Sequence, residues 1–222
     1  QMCIRDSYNV GALGLDNLKK IPYHNINELG SLVDENLNGP YFIVTYHPVT
    51  LNENAYDDSI LEIFKALEYF NDYQVIITFP NFDAGNKKII EEINNQQKKS
   101  EGRFIVKKSL GHKLYHTLVK SASLVIGNSS SGIIEVPAHN VPTVNIGDRQ
   151  KGRLHAASII TCKNNYLEIK QAIEYALNPE FMTQAAQSEK PYGEGNAAQK
   201  IMQILEKIEF TSIKQFYDVE YQ

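Results

Sequence analysis

His47 stands directly behind an apolar run, in the stretch Thr45-Tyr46-His47-Pro48-Val49-Thr50. Pro48 biases it away from helical geometry, and an imidazole so placed can donate to an anion or act as a general acid. Ile126-Gly127-Asn128-Ser129-Ser130-Ser131-Gly132-Ile133-Ile134-Glu135 joins an apolar run to a helix through a small polar turn. There Ser129, Ser130 and Ser131 offer hydroxyls and capping chemistry, and the first amides of the helix attract an anion such as a diphosphate. Gly127 and Gly132 would let the backbone approach a ligand closely. Glu135, about one turn on, has two acceptor oxygens suited to the paired hydroxyls of a ribose. Arg149, Lys151 and Arg153 lie within Gly147 to Arg153, and arginine forks match phosphate oxygens. Asn81 and Asp83, in Phe79-Pro80-Asn81-Phe82-Asp83-Ala84-Gly85-Asn86-Lys87, can face a ligand or form Asx turns and cap a helix. Each segment also has an ordinary reading: a capped helix without ligand, a surface histidine at a turn, a solvated basic loop.

The elements that must position these residues are legible as alternating patterns. Tyr41 to Tyr46, Gln74 to Phe79, Arg103 to Val106, Ser123 to Ile126, Thr143 to Ile146 and Ser158 to Thr161 are short apolar runs rich in β-branched or aromatic residues. They are mostly continuous, as strands covered on both faces should be. Between them lie helical stripes: Ile60, Ile63, Phe64, Leu67 and Phe70; Ile89, Ile90 and Ile93; Leu114, Leu118 and Val119; Ile169, Ala172, Ile173 and Ala176; Ile201, Ile204, Leu205 and Ile208. All are expected to be core faces. Alternation of strand and helix predicts an α/β, doubly wound, mostly parallel Rossmann-like sheet, with ligands bound in the loops at the carboxyl ends of the strands.

The 222 residues carry a net charge of −4, with 42% hydrophobic and 22% charged residues. That composition is ordinary for a globular protein and makes no electrostatic case for nucleic acid or an anionic membrane. No apolar run approaches the length of a membrane helix, and no secretory leader pattern opens the chain. Cys3 and Cys162 fit no metal or redox spacing and read as two reduced thiols in a cytoplasmic protein. Neither a dinucleotide fingerprint nor a P-loop is present. His112 and His116 have the i, i+4 spacing of a metal pair, but no glutamate stands between them as in zinc proteases, and they read as exposed helix residues. Residues 1–8 have no clear period and read as a leader or scar. The tail 210–222, with Phe210, Phe216, Tyr217 and Tyr221, is aromatic enough to pack on something.

Taken together, VGALGLDN (Val10 to Asn17), YHPVT (Tyr46 to Thr50), FPNFDAG (Phe79 to Gly85), IGNSSSGIIE (Ile126 to Glu135) and VNIGDRQKGR (Val144 to Arg153) resemble the hydrolysing UDP-N-acetylglucosamine 2-epimerases of sialic and legionaminic acid synthesis. The resemblance runs from about Asn9 to about Leu205, in family order. It implies the second, nucleotide-binding domain of a glycosyltransferase-B-like fold over residues 9–209. The first domain, which carries carboxylates thought to do acid–base work, has no counterpart in the sequence. By the same resemblance, His47 is the active-site histidine near the diphosphate. Asn81 and Arg149 contact UDP, Ser129 and Ser130 offer hydroxyls to the diphosphate, and Glu135 holds the ribose. Leu110, Ser131, Arg153 and Lys87 are further candidates; in the animal bifunctional enzyme the position of Lys87 contributes to a feedback site for a CMP-sugar. Non-hydrolysing relatives typically follow the histidine with Arg-Arg-Glu, whereas Pro48-Val49-Thr50 favours the hydrolysing branch.

The implied reaction eliminates UDP from UDP-GlcNAc, or from a UDP-diacetamido sugar, to a glycal-like intermediate. Hydration then releases a free N-acetylmannosamine-type sugar, without metal or cofactor. The implied partners are the UDP-sugar, the absent N-terminal domain and further copies of the chain in a homo-oligomer. Two rival readings stand beside it: a UDP-sugar-binding module without activity of its own, and a glycosyltransferase of the same architecture.

Overall fold

The computed structural model describes residues 7–22, 24–49, 59–83 and 85–208. Six strands form one sheet: β1 (Tyr41–Thr45), β2 (Gln74–Thr78), β3 (Phe104–Lys107), β4 (Leu124–Gly127), β5 (Thr143–Ile146) and β6 (Ile159–Cys162). Their order is β3-β2-β1-β4-β5-β6 and every neighbouring pair is parallel. The expected α/β, doubly wound, Rossmann-like sheet is therefore the fold observed.

The continuous apolar runs follow from burial on both faces. Phe42, Val44, Val75 and Ile77 face α2 (Ser59–Leu67), α3 (Asn86–Lys99) and α6 (Tyr166–Ala176) through Ile63, Ile89 and Ile169. Their neighbours Tyr41, Ile43, Ile76 and Ile105 face the opposite side, against Leu29 of α1 (Ile26–Val33) and Leu118 of α4 (Gly111–Val119). In the central strands period-2 alternation is masked because neither face meets water; β6 is half-exposed. Arg103 ties the base of β3 to α2, donating from Nη2 to the carbonyls of Leu67 (2.7 Å) and Phe70 (2.9 Å).

The last stripe departs from expectation. In α8 (Ala197–Leu205) only Ala197 is buried; Ile201 and Ile204 are half-covered, and Leu205 is 45% exposed. The helix is anchored end-on instead. The Asp16 carboxylate accepts from the amides of Ala197 (2.9 Å) and Ala198 (2.7 Å), capping its first turn. Asp16 belongs to the VGALGLDN segment, where the Ala12 amide also donates to the Tyr192 carbonyl (2.8 Å). The remaining helices are α5 (Ser130–Ile134), after β4, and α7 (Pro179–Ala186), after α6.

Cys162, at the end of β6, is a free thiol pushed up to about 12 by burial and by Glu168, and so is unreactive. Cys3, Thr50, Phe210, Phe216, Tyr217 and Tyr221 lie outside the described residues. Among the described residues, no helix is long and apolar enough to cross a membrane.

Candidate functional site

The connections out of β1 go to β2 on one side, while β4 flanks β1 on the other, so the loops after β1 and β4 diverge and leave a crevice at their carboxyl ends. Gly127 closes β4 with φ +139°, and a Cβ there would fall on the Thr45 carbonyl of β1. A Cβ on Gly132 would come 3.0 Å from Thr143 Cγ2 of β5. Both glycines thus serve close contacts within the fold. The next residue, Asn128, is fully buried. Its Oδ1 accepts from the His47 amide and its Nδ2 donates to the His47 carbonyl, each at 2.8 Å. This paired bridge fixes the loop after β1 to the loop after β4. The Asn128 carbonyl is held in turn by Gln150 Nε2 (2.8 Å) and Arg149 Nη1 (3.1 Å).

His47 is 6% exposed. Burial depresses its pKa most, Arg149 adds to this, and Asp83 opposes it. The Asn81 amide donates to His47 Nδ1 at 3.1 Å. An accepting Nδ1 carries no proton, so the ring is neutral and its proton sits on Nε2. Asn81 therefore acts first through its backbone, by selecting a tautomer. Among the described residues neither Asn81 nor Asp83 caps α3 through its side chain; the helix begins after Gly85, at φ +90°.

α5 (Ser130–Ile134) has five residues, with Ser129 as its N-cap. So short a helix has little macrodipole, and Ser129 already accepts from the amides of Ser131 (3.4 Å, at Oγ) and Gly132 (3.2 Å, at the carbonyl); what it offers an anion is the Ser130 amide and the serine hydroxyls. Glu135 is its C-cap, and its Oε2 accepts from Ser131 Oγ at 2.8 Å. Ser131 Oγ also stands 2.9 Å from the Tyr115 hydroxyl. A serine has one proton and the carboxylate is the stronger acceptor. Tyr115, whose burial raises its pKa to about 12, then donates to the serine. His116 Nε2 lies 3.3 Å from Glu135 Oε2. Contact with His116 lowers the Glu135 pKa most, burial opposes it, and the Ser131 bond lowers it further, so the group is a carboxylate. His116, expected at the surface, is 0% exposed: it sits on the inner side of α4, while His112 is exposed.

One cavity of about 530 Å³ joins these groups, with His47, Asn81, Leu110, Ser129, Ser131 and Glu135 among its lining. Its floor includes Thr45 and Thr78, whose hydroxyls lie 2.8 Å apart. Ser130 begins α5 without lining the cavity, and exposed Arg149 reaches the same loop through the Asn128 carbonyl. Lys87, in the first turn of α3, and Arg153 are exposed and outside the lining. The residues that sequence reasoning passed over are Asn128, Gln150, Tyr115 and His116. Asn128 and Gln150 stand inside quoted motifs; for His116 the i, i+4 spacing with His112 is visible but its burial is not, and Tyr115 carries no sequence signal of its own.

The profile of the family described as UDP-N-acetylglucosamine 2-epimerase matches residues 5–206. The chain is 33% identical over 220 residues to polysialic acid biosynthesis protein P7 of Escherichia coli, covering 96% of this chain and 54% of that protein. It is 35% identical over 174 residues to a Campylobacter jejuni GDP/UDP-N,N'-diacetylbacillosamine 2-epimerase (hydrolyzing), covering 78% of this chain and 45% of the relative. The chain thus spans about half the length of these relatives. Among solved structures, the UDP-GlcNAc 2-epimerase from Neisseria meningitidis bound to UDP-GlcNAc superposes with a TM-score of 0.71 at 17% identity, over 90% of this chain and 55% of that one. With a profile match along nearly its whole length, the chain belongs to the UDP-N-acetylglucosamine 2-epimerase family.

Proposed function

We propose that this chain forms the UDP-binding lobe of a hydrolysing epimerase acting on UDP-GlcNAc or a UDP-diacetamido sugar. The observation that carries this reading is the convergence of His47, Ser129, Ser131 and Glu135 on one cavity at the sheet's switch point. Pro48 and Val49 after His47, and the hydrolysing relative in Campylobacter jejuni, support the hydrolysing branch.

In this reading the diphosphate lies against the start of α5 and the ribose hydroxyls meet Glu135. A base removes the C2 proton, the C1–oxygen bond breaks, and UDP departs with the electron pair. Water then adds across the double bond to give the free 2-epimeric sugar. The departing oxygen gathers negative charge, which fixed donors stabilise. The His47 Nε2–H is such a donor: neutral, desolvated and held by Asn128 and Asn81. Arg149 adds positive charge behind the same loop. The C2 base is assigned to a second lobe, since the relatives are about twice as long. The test is UDP release by the intact enzyme. His47→Ala is expected to slow it by at least about 10²-fold; turnover at the normal rate would reject the assignment.

A further inference from the structure

A chain of three buried or half-buried side chains runs inward from the cavity: Glu135, His116 and His139. His116 Nδ1 is 3.1 Å from His139 Nε2, and its Nε2 is 3.3 Å from Glu135 Oε2. We propose that His116, braced by His139, is a positioning residue for Glu135, fixing the carboxylate so that it can recognise the ribose diol of a uridine nucleotide. This rests on the UDP-binding reading above and adds to it a residue that does not itself meet the ligand's reacting atoms.

Glu135 needs such a device. It sits where α5 gives way to a 3-10 turn over Val136–His139, and a glutamate side chain has wide rotamer freedom. Both of its polar contacts, from Ser131 Oγ and His116 Nε2, fall on Oε2. Among the described residues no donor is bonded to Oε1, which faces Gly14, where a Cβ would stand 3.6 Å away. One oxygen is therefore anchored, and the other keeps its acceptor capacity.

The proton assignment holds in either charge state of the imidazole. Glu135 is a carboxylate, so the nitrogen facing it must carry hydrogen. If His116 is neutral, Nδ1 accepts from His139; if it is cationic, Nδ1 donates to His139. In both cases Nε2 carries the hydrogen and lies 3.3 Å from Glu135 Oε2. The ring cannot turn away, because it is fully buried and wedged against His112 and Tyr115, with ring centroids 4.5 and 5.1 Å off. His116 Nε2 has no well-aligned hydrogen bond, so the attraction to Oε2 is chiefly electrostatic. A side chain needed only to fill space would be more stable there as a hydrocarbon than as a buried imidazole.

The test compares the affinities of the chain for UDP and for 2′,3′-dideoxyuridine diphosphate by calorimetry, with folding checked by thermal melting. The amide of an asparagine reaches about where Nδ1 lies, and that of a glutamine about where Nε2 lies. His116→Asn therefore keeps the contact to His139 and loses the donor to Glu135, while His116→Gln keeps the donor. The wild-type chain is expected to prefer UDP by at least about tenfold, as sites built to bond a hydroxyl do. His116→Asn should bring the ratio close to unity while leaving dideoxy affinity unchanged, and His116→Gln should restore most of it. A folded His116→Asn chain with the wild-type ratio would overturn the positioning role alone. A wild-type chain that binds both nucleotides equally would overturn the ribose assignment of Glu135, and the role of His116 with it.

Discussion

His47 and His139 have their pKa values lowered for the same first reason, burial, with consequences at different places. At His47 the depressed pKa keeps a neutral donor at the cavity wall at pH 7. At His139 burial, helped by His116 and Lys120, brings the value from 6.5 to about 4. Between those values the unfolded chain binds more protons than the folded one, so stability rises with pH across the window and is lost on acidification from 6.5 towards 4. The full effect is no more than about 3.5 kcal/mol at about 1.36 kcal/mol per unit. Melting curves at pH 7 and 4.5 should show a larger loss for the wild type than for His139→Gln; equal losses would contradict the assignment. At this scale the sequence was informative about residue type and silent about environment. His47, Ser129 and Glu135 stood out by their place behind apolar runs. From sequence His116 reads as exposed, because what buries it, His139 and Glu135, lies about twenty residues downstream.

The six strands were legible almost to the residue: continuous β-branched runs mark strands buried on both faces, as β1, β4 and β5 are, and the half-exposed β6 kept the same composition. The pairing of β1 with β4 was not, because it depends on contacts between residues about eighty positions apart. Gly127 and Asn128 make that pairing specific. Gly127→Ala is expected to destabilise the chain by roughly 3 kcal/mol or more, through a clash with Thr45 and a disfavoured φ. Asn128→Ala leaves the buried amide and carbonyl of His47 without their partner and should cost on the order of 2 to 3 kcal/mol. Urea unfolding measures both, and a stability unchanged by either substitution would show that the β1–β4 junction is not held as described. Helix α8 carries the complementary lesson. Its stripe announced an amphipathic helix correctly, but periodicity does not say what the apolar face meets, and here Asp16 fixes the helix by its end.

For the molecule as a whole, the parallel sheet with β1 and β4 adjacent explains why segments scattered from His47 to Arg149 meet at one edge. It also explains why the fold class could be read from alternation alone, whereas the site needed the strand order. If the cavity binds UDP, ligand at about 100 times its Kd should add about 2.7 kcal/mol to the stability of the folded chain. The most direct measurement is a calorimetric titration of the chain with UDP, run beside Glu135→Gln. The expected result is one UDP per chain, with affinity reduced by tenfold or more when the carboxylate is replaced by the amide (about 1.4 kcal/mol or more). No binding by the wild type, or binding indifferent to Glu135, would contradict the claim that these loops form a uridine diphosphate site.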